Sequence, residues 1–374
     1  MGRDDGACSG RLERHDLVQF GPLRPRRRRW PGRRSLAAAM LIAVGVVAAI
    51  GHGRRLPAAP GPVAVTEVGH RLLGVTAGWE LFGRGPDEVV RIQLARGRIT
   101  RTTVPPLQST GSVSFVIGPG QVIIRPLDFV PGYLVADGHP PHGLPAALGH
   151  GGPVIPGPGP ERVWIPAVSG GHMLTSLAGL DGSATGVSIP APAGNPWQVA
   201  SDGRGYLLVQ ADGGVYDARP AGLHRVTTGT VAAAGPTRWL AVECGSRAHC
   251  RFVVIDPASG ARRILPTPLA DAVTPPGVIS PDGSIAAVFH VSKTGRATLH
   301  LLNLTSGADH LLAVSLDQQS FGSQNLVWSP DSRWLFVAAV NGKLLAVNAR
   351  TRRARGLGIA LPQISQVGIR NAPH

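Results

Sequence analysis

Lysine is almost missing from this 374-residue sequence: Lys293 and Lys343 stand alone against 35 arginines. Tyrosine, methionine and cysteine number three each, and charged residues make up only 16%. No Gly-x-Ser-x-Gly elbow, Walker loop or dinucleotide-binding glycine fingerprint occurs, so the familiar marks of serine hydrolases, P-loop NTPases and Rossmann enzymes are lacking. Neither catalysis nor a bound cofactor is therefore expected. Runs free of Gly and Pro are short beyond residue 55, which disfavours helices there. The chain is nonetheless 43% hydrophobic, too apolar for a disordered polymer.

What is abundant is Gly, at 50 residues, and Pro, at 34. Many turns among many apolar residues describe short strands joined by tight loops, hence an all-β fold. The net charge of +15 is unevenly placed: residues 1–55 carry twelve arginines against Asp4, Asp5, Glu13 and Asp16. The remainder is only mildly basic, without blocks of charge. With Arg so dominant over Lys and Ala, Gly and Pro plentiful, the bias fits high-GC codon usage better than phosphate recognition, and no nucleic-acid partner is expected.

Residues 35–53 (SLAAAMLIAVGVVAAIGHG) contain no Lys, Arg, Asp or Glu. As a helix they span roughly 28 Å, close to a bilayer's hydrocarbon core. Seven arginines lie between Arg24 and Arg34, against Arg54 and Arg55 on the other side. The positive-inside rule then keeps residues 1–34 in the cytoplasm as a basic, disordered tail and sends the rest across. The expected organisation is tail 1–34, transmembrane helix 35–53 in contact with the lipid bilayer, linker 54–69 and an extracytoplasmic domain over 70–374. A cleaved, secreted form is the alternative, although the apolar run is long for a signal peptide and no clean Ala-x-Ala site follows.

Cys8 falls in the tail. Cys244 and Cys250 flank a polar turn, 245–249, between expected strands 238–243 and 251–256. They would face each other across a hairpin, within reach of a disulfide that an oxidising compartment permits. Free thiols are a second reading. A metal pair with His249 is a third, though Cys-x5-Cys lacks a second ligand pair at a familiar spacing.

Two segments repeat near the C-terminus: 277–289 (GVISPDGSIAAVF) and 326–338 (LVWSPDSRWLFVA). Each is an apolar strand, a Ser-Pro-Asp-Gly/Ser turn and a second apolar strand, followed by another hairpin. Pro presets the turn's first φ, and Asp and Gly suit its later positions. Fainter copies upstream place turns near 118, 157, 202, 236, 281 and 330, a blade-like period of about 40 residues. The expectation is a six- or seven-bladed β-propeller, seven favoured. The units Ser280-Pro281-Asp282-Gly283 and Ser329-Pro330-Asp331-Ser332 resemble the WD40-like repeats of TolB-type propellers, and the layout resembles membrane-anchored propellers of high-GC bacteria. That resemblance implies the fold; the anchor and the lack of a separate N-terminal domain depart from TolB, so its role is not carried over.

Other features have plain readings. His139, His142 and His150 lie in a Pro/Gly-rich loop rather than a rigid metal frame. Asn303-Leu304-Thr305 matches a glycosylation acceptor by chance expectation. Trp164, Trp197, Trp239, Trp328 and Trp334 fit packing between blades, or a ligand platform at a channel mouth. The function expected is a non-catalytic binding or scaffolding module for a protein or cell-envelope polymer. An enzyme with its site at the channel mouth is the alternative.

Overall fold

Short, largely apolar runs bounded by Gly, Asn and Asp turns produce 29 strands among the described residues. The computed structural model describes residues 63–371 except 108–112, 128–129, 149–151, 170–171, 193–197, 246–248, 268–272, 292–296, 316–322 and 340. The expected tail, apolar helix 35–53 and the start of the linker lie outside that range. Among the described residues no helix is long and apolar enough to cross a membrane.

The strands run β1 (Ala64–Glu67), β2 (Trp79–Arg84), β3 (Glu88–Gln93), β4 (Arg98–Thr103), β5 (Val113–Gly118), β6 (Gln121–Pro126), β7 (Tyr133–Ala136) and β8 (His142–Gly143). There follow β9 (Ile155–Pro156), β10 (Arg162–Ser169), β11 (His172–Gly179), β12 (Ala184–Pro190), β13 (Gln198–Ser201), β14 (Leu207–Ala211), β15 (Gly214–Arg219) and β16 (Gly222–Thr227). Next come β17 (Thr230–Ala234), β18 (Trp239–Cys244), β19 (Cys250–Ile255), β20 (Arg262–Leu265), β21 (Val273–Ile279), β22 (Ile285–Val291), β23 (Ala297–Asn303) and β24 (Asp309–Ser315). Last are β25 (Leu326–Trp328), β26 (Trp334–Ala338), β27 (Leu344–Asn348), β28 (Ala354–Gly356) and β29 (Gln366–Asn371).

Consecutive strands pair antiparallel into sheets, giving an all-β, propeller-like fold. β5–β8, β9–β12, β13–β16 and β25–β28 are separate four-stranded sheets. A fifth sheet, ordered β1-β4-β3-β2-β29, joins the two ends of the domain: the C-terminal strand β29 lies inside β2, and β1 covers β4 on the outer edge. Part of the segment read as linker, 64–67, is thus a strand. The sixth sheet has eight strands, because β17 and β21 pair in parallel through Ala233↔Gly277 and Ala234↔Val278. This differs from the expected six or seven separate blades: among the described residues five sheets stand alone and β17–β24 form one fused sheet. The cause is local. Ala232, Ala233 and Gly277 leave the two inner strands room for backbone contact, and a Cβ on Gly277 would crowd the Ala232 carbonyl of β17 at 3.1 Å.

The core lies between neighbouring sheets, so strands are buried on both faces and read as unbroken apolar runs. In β26, Trp334, Phe336 and Ala338 pack with Trp79, Leu81 and Val90 of the first sheet, while Leu335 and Val337 face the other way, toward Phe289 and Leu301. In β2 the same alternation sends Leu81 one way and Phe82 the other, onto Phe115 and Ile124. Each such side chain contributes about 1.5–3 kcal/mol by leaving water.

Candidate functional site

The two Ser-Pro-Asp turns are built alike. Ser280 and Ser329 are fully buried. Each hydroxyl accepts from a backbone N–H five residues on (Ile285 N at 3.0 Å, Trp334 N at 2.9 Å) and donates to the following Asp (Asp282 at 2.6 Å, Asp331 at 2.5 Å). Burial opposes the charge of Asp282, but hydrogen bonds from Ser280, Ser284 and Ser332 outweigh it and hold the carboxyl below its usual range. Pro281 and Pro330 occupy the turn corner. Gly283 and Ser332 both take positive φ, 73° and 59°. The turns also touch, the Ser332 hydroxyl accepting from Asp282 N at 3.0 Å. The sequence motif is therefore a structural clamp between adjacent repeats.

A third turn, 202–206, solves the same problem with one residue. Asp202, fully buried, accepts through Oδ1 from Arg204 N (2.6 Å) and Tyr206 N (2.8 Å), doing the work of both Ser and Asp in the other turns. Its Oδ2 has no partner, nor does Oδ1 of the buried Asp217. Burial, then the charge of Asp217, pushes the Asp202 carboxyl up. Trp164 and Trp239 hold this turn from either side, their indole N–H groups donating to Gly205 O (2.8 Å) and Asp202 O (2.9 Å). Both are buried, so they interlock neighbouring repeats. Trp328 and Trp334 are buried as well; Trp197 lies outside the described residues.

Cys244 and Cys250 face each other in the β18–β19 register and are joined by a disulfide. Hairpins alternate ends along a meander, so this bridge sits at the opposite end of the strands from the Ser-Pro-Asp turns. The structure brings the two clamps together and keeps the cysteines apart from them. His139 rests its Nδ1 2.8 Å from the Asp137 carbonyl, and His142 is in β8. His150 is outside the described residues, and among those described no three metal-binding side chains cluster. Asn303 accepts from Thr305 N (2.9 Å) and Ser306 N (2.8 Å), which makes it a turn residue.

Two polar groupings escaped the sequence reading. Glu80 on β2 binds Arg91 (2.5 Å), Gln93 (2.8 Å) and Arg370 of β29 (2.9 Å), while Asp137 binds Arg91 (3.0 Å) and also pairs with Arg370. Arg370 lies 4.7 Å over the Phe82 ring. Burial of Glu80 opposes its charge, yet Arg91, Gln93 and Arg370 outweigh that and hold it below the usual carboxylate range. This cluster clasps the C-terminal strand to β2 and β3 of its own sheet and to the neighbouring β5–β8 sheet. Elsewhere His300 sits 2.9 Å from Asp309 and 3.0 Å from the Thr298 hydroxyl. The chain order resembles a nucleophilic triad, but the Thr298 hydroxyl also donates to the His290 carbonyl at 3.2 Å. The His300 partners lie on different strands and Glu80 and Arg370 are 290 residues apart, so only the folded register reveals them.

The inner strands enclose a channel of about 480 Å³. Val199, Val231, Val278, Val327 and Val367, from five different inner strands, line it, and among the described lining residues none is charged. Among the described residues its polar side chains are Ser201, Gln210 and Gln324. Gln210 donates to Gly229 O at 3.2 Å. Gln324 accepts from Phe115 N (3.0 Å) and Gln366 (2.6 Å), which fixes its amide against the wall.

No family model matches this chain, and no curated protein matches its sequence. Similar solved structures exist. TolB from Acinetobacter baumannii has a TM-score of 0.41 at 12% identity, over 74% of this chain and 62% of that one. A putative 6-phosphogluconolactonase from Bacteroides fragilis scores 0.47 at 12% identity, over 79% and 99%. Apo AztD from Citrobacter koseri scores 0.43 at 12% identity, over 80% and 100%. At this identity the likeness is one of fold, and names so varied leave the activity open.

Proposed function

We propose that this protein is a membrane-anchored, non-catalytic binding module, displaying its propeller-like domain outside the cytoplasm and receiving an uncharged segment of a protein or envelope-polymer partner in its channel. In this reading the eight-stranded sheet counts as two blades, β17–β20 and β21–β24, and the propeller has seven. The observation that carries the proposal is the channel wall: ligand sites are concave and mostly apolar with a few fixed polar groups. A wall rich in valine, with Gln210 and Gln324, fits that description at a suitable volume. Hydrolysis or elimination at a channel mouth would require converging carboxylates, His or Arg, and the described lining residues include none.

Photocrosslinking in cells tests this. A photoreactive residue replacing Val278 or Gln324 in the full chain should give a discrete adduct, and one replacing Arg219 should not. Absence of any adduct from the channel positions would count against the reading. So would turnover of a substrate that Gln324→Leu abolishes.

A further inference from the structure

The outer-hairpin turn occurs in three aligned copies: 256–263 (DPASGARR), 303–310 (NLTSGADH) and 348–355 (NARTRRAR). All three close the same way. The first residue's side chain caps backbone N–H groups (Asp256 to Ser259, Asn303 to Ser306, Asn348 to Thr351), and its carbonyl accepts from the fifth residue at 2.7–2.9 Å. That fifth residue takes positive φ: Gly260 at 71°, Gly307 at 77°, Arg352 at 57°. Gly is the residue suited to that conformation, so the third copy holds an arginine in a backbone state that disfavours it. Strain of this kind persists where something else maintains the residue.

The same copy has Arg at its third and sixth positions, where the sisters have Ala258 and Thr305, Ala261 and Ala308. A hydrogen bond from Ala349 N to Arg333 O (2.9 Å) brings Arg333 beside the turn. Arg333, Arg350, Arg352, Arg353 and Arg355 are all exposed. Codon bias does not account for their state. Three arginines on other outer edges are used internally, Arg262 on Val226 O and Glu243, Arg263 on Thr305 O and Leu304 O, Arg101 on Ala360 O, while Arg225 on β16 stands exposed and alone rather than in a group. Among the described residues, Arg333, Arg350, Arg352 and Arg353 have no side-chain hydrogen bond or ion pair, and Arg355 stacks on Trp334 at 5.0 Å. Asp331, in the Ser-Pro-Asp turn beside it, is already engaged by Ser329 and by Arg333 N.

We propose that this five-arginine rim on the last repeat, a surface separate from the channel, binds a linear, phosphate-bearing polyanion other than a nucleic acid. Guanidinium groups match phosphate in charge and in bidentate geometry. A water-borne polymer fits better than a bilayer surface, because within 348–356 no large apolar side chain is exposed for insertion beside the arginines.

The test uses the full chain with Arg24, Arg26, Arg27, Arg28, Arg29, Arg33 and Arg34 replaced by Gln, which silences the basic tail. Binding to inorganic polyphosphate is compared with and without Arg350→Gln, Arg352→Gly and Arg353→Gln. The rim variant should bind about tenfold weaker or worse, with a shallower salt dependence. Arg352→Gly alone should weaken binding while leaving the melting temperature equal or higher, the opposite of what a structural arginine would give. Arg350→Lys with Arg353→Lys should keep most of the binding. Equal affinity of the rim variant would overturn the proposal. So would no polyphosphate binding, or a preference for phosphatidylglycerol vesicles, polyglutamate or a DNA oligonucleotide. Failure of the channel crosslinks leaves this result unaffected, because the two surfaces share no residue.

Discussion

At the scale of single residues, the buried turn hydroxyls carry the clearest energetic consequence. Ser329→Ala leaves Trp334 N and Asp331 without a buried partner, which costs about 1–3 kcal/mol. A urea titration reads this as a lower midpoint with unchanged slope. Asp202 runs the other way. Its carboxyl is pushed up by burial and by Asp217, so the folded state holds this proton more tightly than the unfolded chain. That contribution weakens folding as pH rises from the unfolded value of about 4 toward the raised folded one. Asp202→Asn keeps the Oδ1 acceptor and removes the buried charge, and is expected to raise stability at pH 7 by about 1 kcal/mol. A melting temperature at or below that of the unaltered protein would contradict this.

At the scale of elements, the disulfide and the clasp are separable. Cys244→Ala with Cys250→Ala should lower stability by about 2 kcal/mol through the small loop it opens. Glu80, held low by its arginines, contributes stability that is present above its unfolded value of about 4.5 and is lost as pH falls through the lower folded one. Glu80→Gln should therefore flatten the acid limb of a stability–pH curve. Sequence and structure part company here for physical reasons. The Ser-Pro-Asp turns and the cysteine hairpin were legible because their chemistry is local, contained within about ten residues of chain. The Glu80–Arg370 clasp joins positions 290 residues apart, and no local pattern announces it. The fusion of β17 to β21 was hidden for a related reason: small residues such as Gly277 were visible, but the neighbour they admit was not.

At the scale of the whole molecule, the propeller-like ring is closed by β29 lying against β2, with Glu80–Arg370 and Gln366 fastening it. Deleting residues 366–374 should cost more than any single substitution above, and should lower the cooperativity of thermal unfolding as well as its midpoint. Unchanged cooperativity would show that closure is dispensable. Which surfaces act once the ring is closed depends on where the domain stands, and the three cysteines report that directly.

The most direct measurement is differential labelling of those cysteines in intact cells, read by mass spectrometry of the full chain. Display outside the cytoplasm predicts that Cys244 and Cys250 react only after reduction, and that Cys8 reacts with an impermeant maleimide only once the membrane is opened. Free Cys244 and Cys250, or Cys8 labelled in sealed cells, would contradict the account.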